Sequence, residues 1–200
     1  MVEGGRIDHA HHDNYAQLAL AELSELDDAV ATVLRYVDLD ETLVIVTADH
    51  SHAFTLNGYP DRGNDILGVV DNDDQQYETL TYANGPGFDD HWDHDHFRNL
   101  STMNRTNPKY RNFAPIPLVS ETHGGEDVLV YATGPWAHLL SGVFEQNYIA
   151  HVVGYAGCIG DGLTVCDEHL QQIPEAATAT GTSTMAMSLL LLLISLHNFL

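Results

Sequence analysis

Positive charge is what this sequence has least of. Seven Lys and Arg stand against 29 Asp and Glu over 200 residues, a formal charge of −22, and none of the seven lies between residue 121 and the end. A surface this acidic repels phosphate backbones and anionic headgroups, so nucleic acid and anionic membrane surfaces are excluded as partners. An anionic substrate would need a local inversion of the field, which bound divalent cations provide. Cysteine is also scarce. Cys158 and Cys166 are the only two, eight apart; they would close a small disulfide loop, two free thiols being the other reading. The chain does not open on a signal peptide, because Met1 runs straight into Glu3 and a knot of acids and histidines. A long unbroken apolar run is missing too. Met185 to Leu200 is greasy but interrupted by Ser188, Ser195, His197 and Asn198, which is too short and broken for a membrane span.

What remains is rich in histidine and acid. Glu3-Gly4-Gly5-Arg6-Ile7-Asp8-His9-Ala10-His11-His12 packs two carboxylates and three histidines around paired glycines. Asp8 and His12 are four apart and share one face if a helix begins here. A carboxylate with imidazoles suits zinc, whereas a lone carboxylate such as Glu3 suits magnesium. A polar, histidine-rich loop is the plainer alternative.

The chain is long enough for a sizeable core, and its 44% hydrophobic content is ordinary for a globular protein. Asp13 to Val37 carries Leu18, Leu26, Val30, Val33, Leu34 and Val37 near helical period, which predicts one long amphipathic helix. Leu43-Val44-Ile45-Val46 reads as a strand buried on both faces. Helix followed by buried strand points to an open α/β sheet. From Thr55 to about Ser120 the chain turns to Gly, Pro, Asn and Asp, with Tyr77–Tyr82 as a strand and Asn84-Gly85-Pro86-Gly87 as a turn. Val128 to Ala132 predicts a second strand, and Ser141 to Tyr155 a helix. The expected organisation is a metal-binding part of an α/β domain (1–55), an inserted surface subdomain (56–120), a return to the first domain with the cysteine loop (121–173), and a spacer with an apolar tail (174–200).

Asn99-Leu100-Ser101 and Asn104-Arg105-Thr106 are glycosylation sequons, making Asn99 and Asn104 the acceptors. With the cysteine pair and the tail they favour an extracellular address, and the true N-terminus is then expected upstream of Met1. Small residues, a polar spacer and a hydrophobic terminus follow the order of a GPI-attachment signal, with Ala176 or a close neighbour as the attachment point. A frayed amphipathic end is the alternative.

Two further constellations flank the strands. Thr47-Ala48-Asp49-His50-Ser51-His52 follows the first, at the carboxyl end where open α/β sheets bind ligands. Ser51 lies between histidines, but nothing positions either of them as its base. Glu121-Thr122-His123 precedes the second strand. Asp8, His12 and His123 would make three protein ligands with a fourth position open, the catalytic form of a zinc site. The run Asp89-Asp90-His91-Trp92-Asp93-His94-Asp95-His96 could also hold a transition metal, or be a solvated acidic loop.

These motifs, in this order, resemble the C-terminal part of animal alkaline phosphatases, from Met1 to about Asp167 and most weakly between Asp71 and Pro115. The resemblance implies part of a three-layer α/β sandwich with a crown-like insertion. It implies two zinc ions and one magnesium hydrolysing small phosphate monoesters through a phosphoserine, in a GPI-anchored homodimer at the cell surface. By motif, Asp8, His12 and His123 match the ligands of the first zinc, Asp49 and His50 two ligands of the second, and Glu3 one magnesium ligand. His52 matches a histidine that orients Asp8 from behind, and Tyr59 resembles a tyrosine that reaches toward the other subunit's site.

The family's nucleophilic serine, its phosphate-clamping arginine, the carboxylate shared by zinc and magnesium and the other magnesium ligands belong to a half that this sequence does not include. Its catalytic positions therefore number none here, and no serine stands in the nucleophile's context. The expectation is that this polypeptide alone neither folds as a stable domain nor turns over substrate. A non-catalytic, metal-binding surface protein is the rival reading.

Overall fold

The computed structural model describes residues 1–72 and 75–160, with the backbone of Leu192–Ser195. In chain order, β1 (Val2–Glu3) leads to α1 (Arg6–His12), α2 (Ala16–Tyr36) and β2 (Val44–Thr47). Then come β3 (Phe54–Leu56), β4 (Val69–Asn72), β5 (Gln75–Glu78), β6 (Leu80–Tyr82), α3 (Gly87–His91), β7 (Trp92–Asp93) and β8 (His96–Phe97). The sequence of elements closes with β9 (Val130–Thr133), α4 (Tyr148–Ala156) and β10 (Leu192–Ser195). Helices and short strands mix as an α/β chain requires. The contacts divide it into two compact units.

The first unit comprises Met1–Val2, Thr32–Val46 and Val130–Ile194. It holds the four-stranded sheet, ordered β1-β10-β2-β9. Leu43 and Ile45 are wholly buried and pack with Leu140, Val152 and Ala156, as the continuous apolar run around β2 demands. The helix expected over Ser141–Tyr155 starts only at Tyr148. Gly142 before it sits at φ 99°, in the left-handed region that interrupts a helix.

The second unit comprises Glu3–Ala31, Thr47–Leu129 and Ser195–Leu200. Its core gathers Ala16, Leu80, Tyr82 and Ala114, with Leu20, Phe54 and Leu67 against them. The single helix expected over Asp13–Val37 is α2, which starts at Ala16 rather than Asp13; Asn14, whose φ is 58°, separates it from α1. Asparagine tolerates that conformation, and its buried side chain is used: Oδ1 accepts from the Gly87 N–H at 2.8 Å, and Nδ2 donates to the Asn84 carbonyl at 3.1 Å. Hydrophobic period cannot report such a tie, because it depends on a turn seventy residues away. The strand expected over Tyr77–Tyr82 divides at Thr79, since β5 pairs with β4 while β6 pairs with β3.

A buried carboxylate organises the far part of this unit. Glu78 is 1% exposed; it accepts from the Phe113 N–H at 2.7 Å and from Arg105 Nε at 3.3 Å. Arg105 also donates to the carbonyls of Leu67 and Gly68. Burial, with Glu78 nearby, pushes the Tyr110 phenol well above its ordinary value.

No helix among the described residues is long and apolar enough to cross a membrane. Cys166 and Ala176 lie outside the described residues, so the expected disulfide and anchor site fall there.

Candidate metal centre

The three constellations meet in the second unit. α1 carries Asp8 and His12 one turn apart, so both side chains leave the same face. The Asp49–Ala53 segment and the Glu121–Gly124 segment run beside each other, joined by a bridge between His52 and His123. Ala53 N donates to the Thr122 carbonyl at 3.0 Å, and Gly124 N to the Ser51 carbonyl at 2.8 Å. This approach needs a residue without a side chain: a Cβ on Gly124 would lie 2.2 Å from both Ser51 Oγ and Glu126 Oε2. A Cβ on the adjacent Gly125 would meet nothing within 4 Å.

The result is a triangle of ligand atoms. His12 Nε2 lies 3.2 Å from Asp8 Oδ1, His123 Nε2 lies 3.4 Å from the same oxygen, and the two nitrogens are 3.1 Å apart. Donors held at 2.0–2.1 Å around a tetrahedral zinc stand about 3.3–3.4 Å from one another. The triangle matches that spacing.

The tautomers suit the same role. His12 Nδ1 lies 2.6 Å from the Glu121 carbonyl. A carbonyl can only accept, so Nδ1 carries the hydrogen and the Nε2 lone pair faces the triangle. His50 repeats the arrangement, with Nδ1 donating to the Ser51 carbonyl at 3.1 Å. Its Nε2 stands 3.6 Å from Asp49 Oδ2 and 3.9 Å from Asp8 Oδ1, and its ring stacks on His123 with centroids 3.4 Å apart. His50 and Asp49 therefore adjoin the triangle. Glu3 is exposed and stands outside the clustered ligand atoms. Burial and the neighbouring imidazoles of His50, His52 and His12 hold His123 below its ordinary pKa.

Behind the triangle, the His52 side chain is 1% exposed, with Nε2 2.9 Å from Asp8 Oδ1 and Nδ1 against Glu121 Oε2. The group His12, His52 and Glu121 also has metal-like spacing, but its atoms are committed. Glu121 accepts from His52 Nδ1 and from the Ala53 N–H, while His12 Nδ1 gives its hydrogen to the Glu121 carbonyl. It is a hydrogen-bonded support for the first group.

Ser51 is buried and donates to Glu126, and that bond holds the Glu126 carboxyl below its usual range. This hydroxyl is a brace for the loop. His11 is buried against His52 and Tyr82, its Nδ1 2.8 Å from the Tyr82 hydroxyl. Burial, then the charge of His52, pulls its pKa down to about 3.

The Asp89–His96 run divides. His91 is buried and bonds the Arg111 carbonyl at 2.9 Å, whereas His94 and His96 are exposed on the β7–β8 hairpin. No group of three ligand atoms forms there among the described residues. Glu121, Glu126 and His11 are the site residues whose roles the sequence did not disclose. One signal for Glu121 was present: two residues before His123 on extended backbone, it projects to the same side.

A histidine–carboxylate triangle on an α/β scaffold thus defines a candidate metal centre. The family model for alkaline phosphatase matches residues 1–159. The chain is 49% identical over 187 residues to "Alkaline phosphatase 4" of Drosophila melanogaster, covering 84% of this chain and 31% of that protein. It is 48% identical over 170 residues to the tissue-nonspecific alkaline phosphatase isozyme of Felis catus (83% and 32% covered). It is also 45% identical over 168 residues to the "Membrane-bound alkaline phosphatase" of Bombyx mori (82% and 30%). The chain belongs to the alkaline phosphatase family. It spans about a third of the length of these curated relatives.

Proposed function

We propose that this chain supplies the C-terminal metal ligands of a phosphate monoesterase with two zinc ions and one magnesium. Asp8, His12 and His123 would hold the first zinc, Asp49 and His50 part of the second, and Glu3 would contribute to magnesium. Metal ions so held neutralise charge on a phosphoryl group and activate oxygen nucleophiles at neutral pH. The chain's own residues orient the donors. His12 and His50 keep their Nδ1 hydrogens on backbone carbonyls and offer Nε2, while His52 steadies Asp8 from the buried side. Against a net charge of −22, a cation is also what lets an anionic substrate approach.

The observation that carries this reading is the triangle of 3.1, 3.2 and 3.4 Å. Ser51 is not the nucleophile, because its hydroxyl is buried and bound to Glu126; the phosphoserine would form on a residue outside the matched motifs. The same proposal takes residues 56–120 as a crown-like insertion on a three-layer sandwich, and Asn99 and Asn104 as glycosylated. Both asparagines are exposed. Tyr59, fully exposed, would serve a homodimer contact, and a GPI anchor near Ala176 would place the protein at the cell surface.

The test is a chimera in which this chain replaces the corresponding third of the Bombyx mori relative. Zinc-dependent hydrolysis of p-nitrophenyl phosphate that disappears on His123→Ala is the expected result. A folded chimera that binds zinc through His123 but hydrolyses nothing would refute it in favour of a non-catalytic metal-binding protein.

A further inference from the structure

We infer that Glu121 is the positioning residue of the metal centre, the single group through which all three ligands of the triangle are held in register. The inference rests on the reading of Asp8, His12 and His123 as zinc ligands, and it assigns a role to a residue outside that set.

Glu121 reaches each ligand by a separate route. Its carboxylate accepts from His52 Nδ1, and the other nitrogen of that ring stands 2.9 Å from Asp8 Oδ1. Its carbonyl accepts from His12 Nδ1 at 2.6 Å, and its own N–H donates to the His12 carbonyl at 2.9 Å. That pair of bonds fixes the ring angle of His12 and the end of α1 together. Its Oε1 accepts from Ala53 N at 2.6 Å, which locks the His50–Ala53 segment to the segment carrying His123 two residues on. Asp8 is thus aimed through an imidazole, His12 through a carbonyl, and His123 through the backbone.

Burial argues that this arrangement is not incidental. The Glu121 side chain is 0% exposed and meets imidazole and backbone N–H groups, with no Lys or Arg partner among the described residues. Burying a carboxylate on those terms carries a desolvation cost that an apolar side chain of similar size would not. Groups behind a metal's own ligands set tautomer and direction, and their loss commonly weakens metal binding by about 10- to 100-fold.

Glu121→Gln isolates the effect. Glutamine keeps the size of the side chain but has one acceptor oxygen where two N–H groups wait, so either His52 or Ala53 loses its acceptor. Zinc affinity is measured on the full chain by competition with a chromophoric chelator, and ligand geometry by the visible spectrum of bound cobalt(II). The expected result is zinc affinity lower by about 10- to 100-fold, with an altered cobalt band. His52→Gln, which leaves Glu121 its bonds to Ala53 and His12, provides the parallel measurement should Glu121→Gln not fold. Its expected loss is of similar size, and the double variant loses less than the sum. Unchanged affinity and an unchanged cobalt spectrum in either folded variant, even with lower thermal stability, would make Glu121 a structural staple and overturn the inference alone. A wild-type chain that takes up no cobalt would overturn the ligand reading and this inference with it.

Discussion

Replacing Arg105 by alanine strips the buried carboxylate of Glu78 of the guanidinium it faces at 3.3 Å. Glu78 would keep its bond from Phe113 N, but the charge would stay in place, 1% exposed. Removing one partner of a buried pair costs about 3–5 kcal/mol, much of it the penalty of the charge left behind. The Arg105 side chain is 20% exposed, so water can follow the deletion, and the lower end, about 3 kcal/mol, is the expected cost. The Phe113 amide donates straight to Glu78 and reports locally by hydrogen exchange. A loss of about 3 kcal/mol lowers its protection by about 150-fold when that amide exchanges through unfolding of the second unit. Because both charges go together, the pair Glu78→Leu with Arg105→Met should recover part of the lost stability, read by thermal unfolding because the Phe113 amide no longer has its acceptor. A single Arg105→Ala variant whose Phe113 protection stays within about fivefold of the wild type would refute the reasoning.

Other perturbations follow from the same structure. On the proposed reading of Asp8, His12 and His123 as zinc ligands, His123→Ala removes one of the three, and its expected cost is about 3 kcal/mol, or two decades of zinc affinity, read by chelator competition. Gly134→Ala puts a Cβ 2.0 Å from the Thr42 carbonyl at a φ of 97°; it should cost about 2–3 kcal/mol in thermal unfolding. His11, lowered from 6.5 to about 3 in the folded state, binds its proton more readily when unfolded. Its contribution is therefore complete above pH 6.5 and fades as the pH falls toward 3. At pH 4.5, with chelator present, the wild type should have lost on the order of 3 kcal/mol relative to neutral pH. A His11→Gln variant that shows the same acid sensitivity would rule this out.

The sequence pointed to the candidate ligand atoms more readily than to the framework behind them. Asp8 and His12 could be read together because four residues make one helical turn, and Asp49-His50 because it follows an unmistakable buried strand. His123 could be joined to them only as the third ligand that an open zinc site would need, since no local period ties it to residues over a hundred positions away. Asn14 shows why the helix boundary failed: its φ of 58° is held by Asn84 and Gly87, and window-based periodicity does not see distant partners. Ser51, a tempting nucleophile on paper, is turned away by Glu126, a carboxylate seventy-five positions on. Glu121 and Glu78 carry the same lesson. A buried acid is indistinguishable in a sequence from the many exposed ones around it, and only its donors reveal it.

The neighbouring glycines at 124 and 125, identical as letters, have opposite freedom. A methyl group at the first would wedge the two ligand-bearing segments apart, while the second opens onto empty space. A fluorophore or spin label attached through a cysteine at 125 would sit two residues from His123 without intruding on the loop. It offers a way to watch that imidazole change surroundings while the core beneath it stays intact.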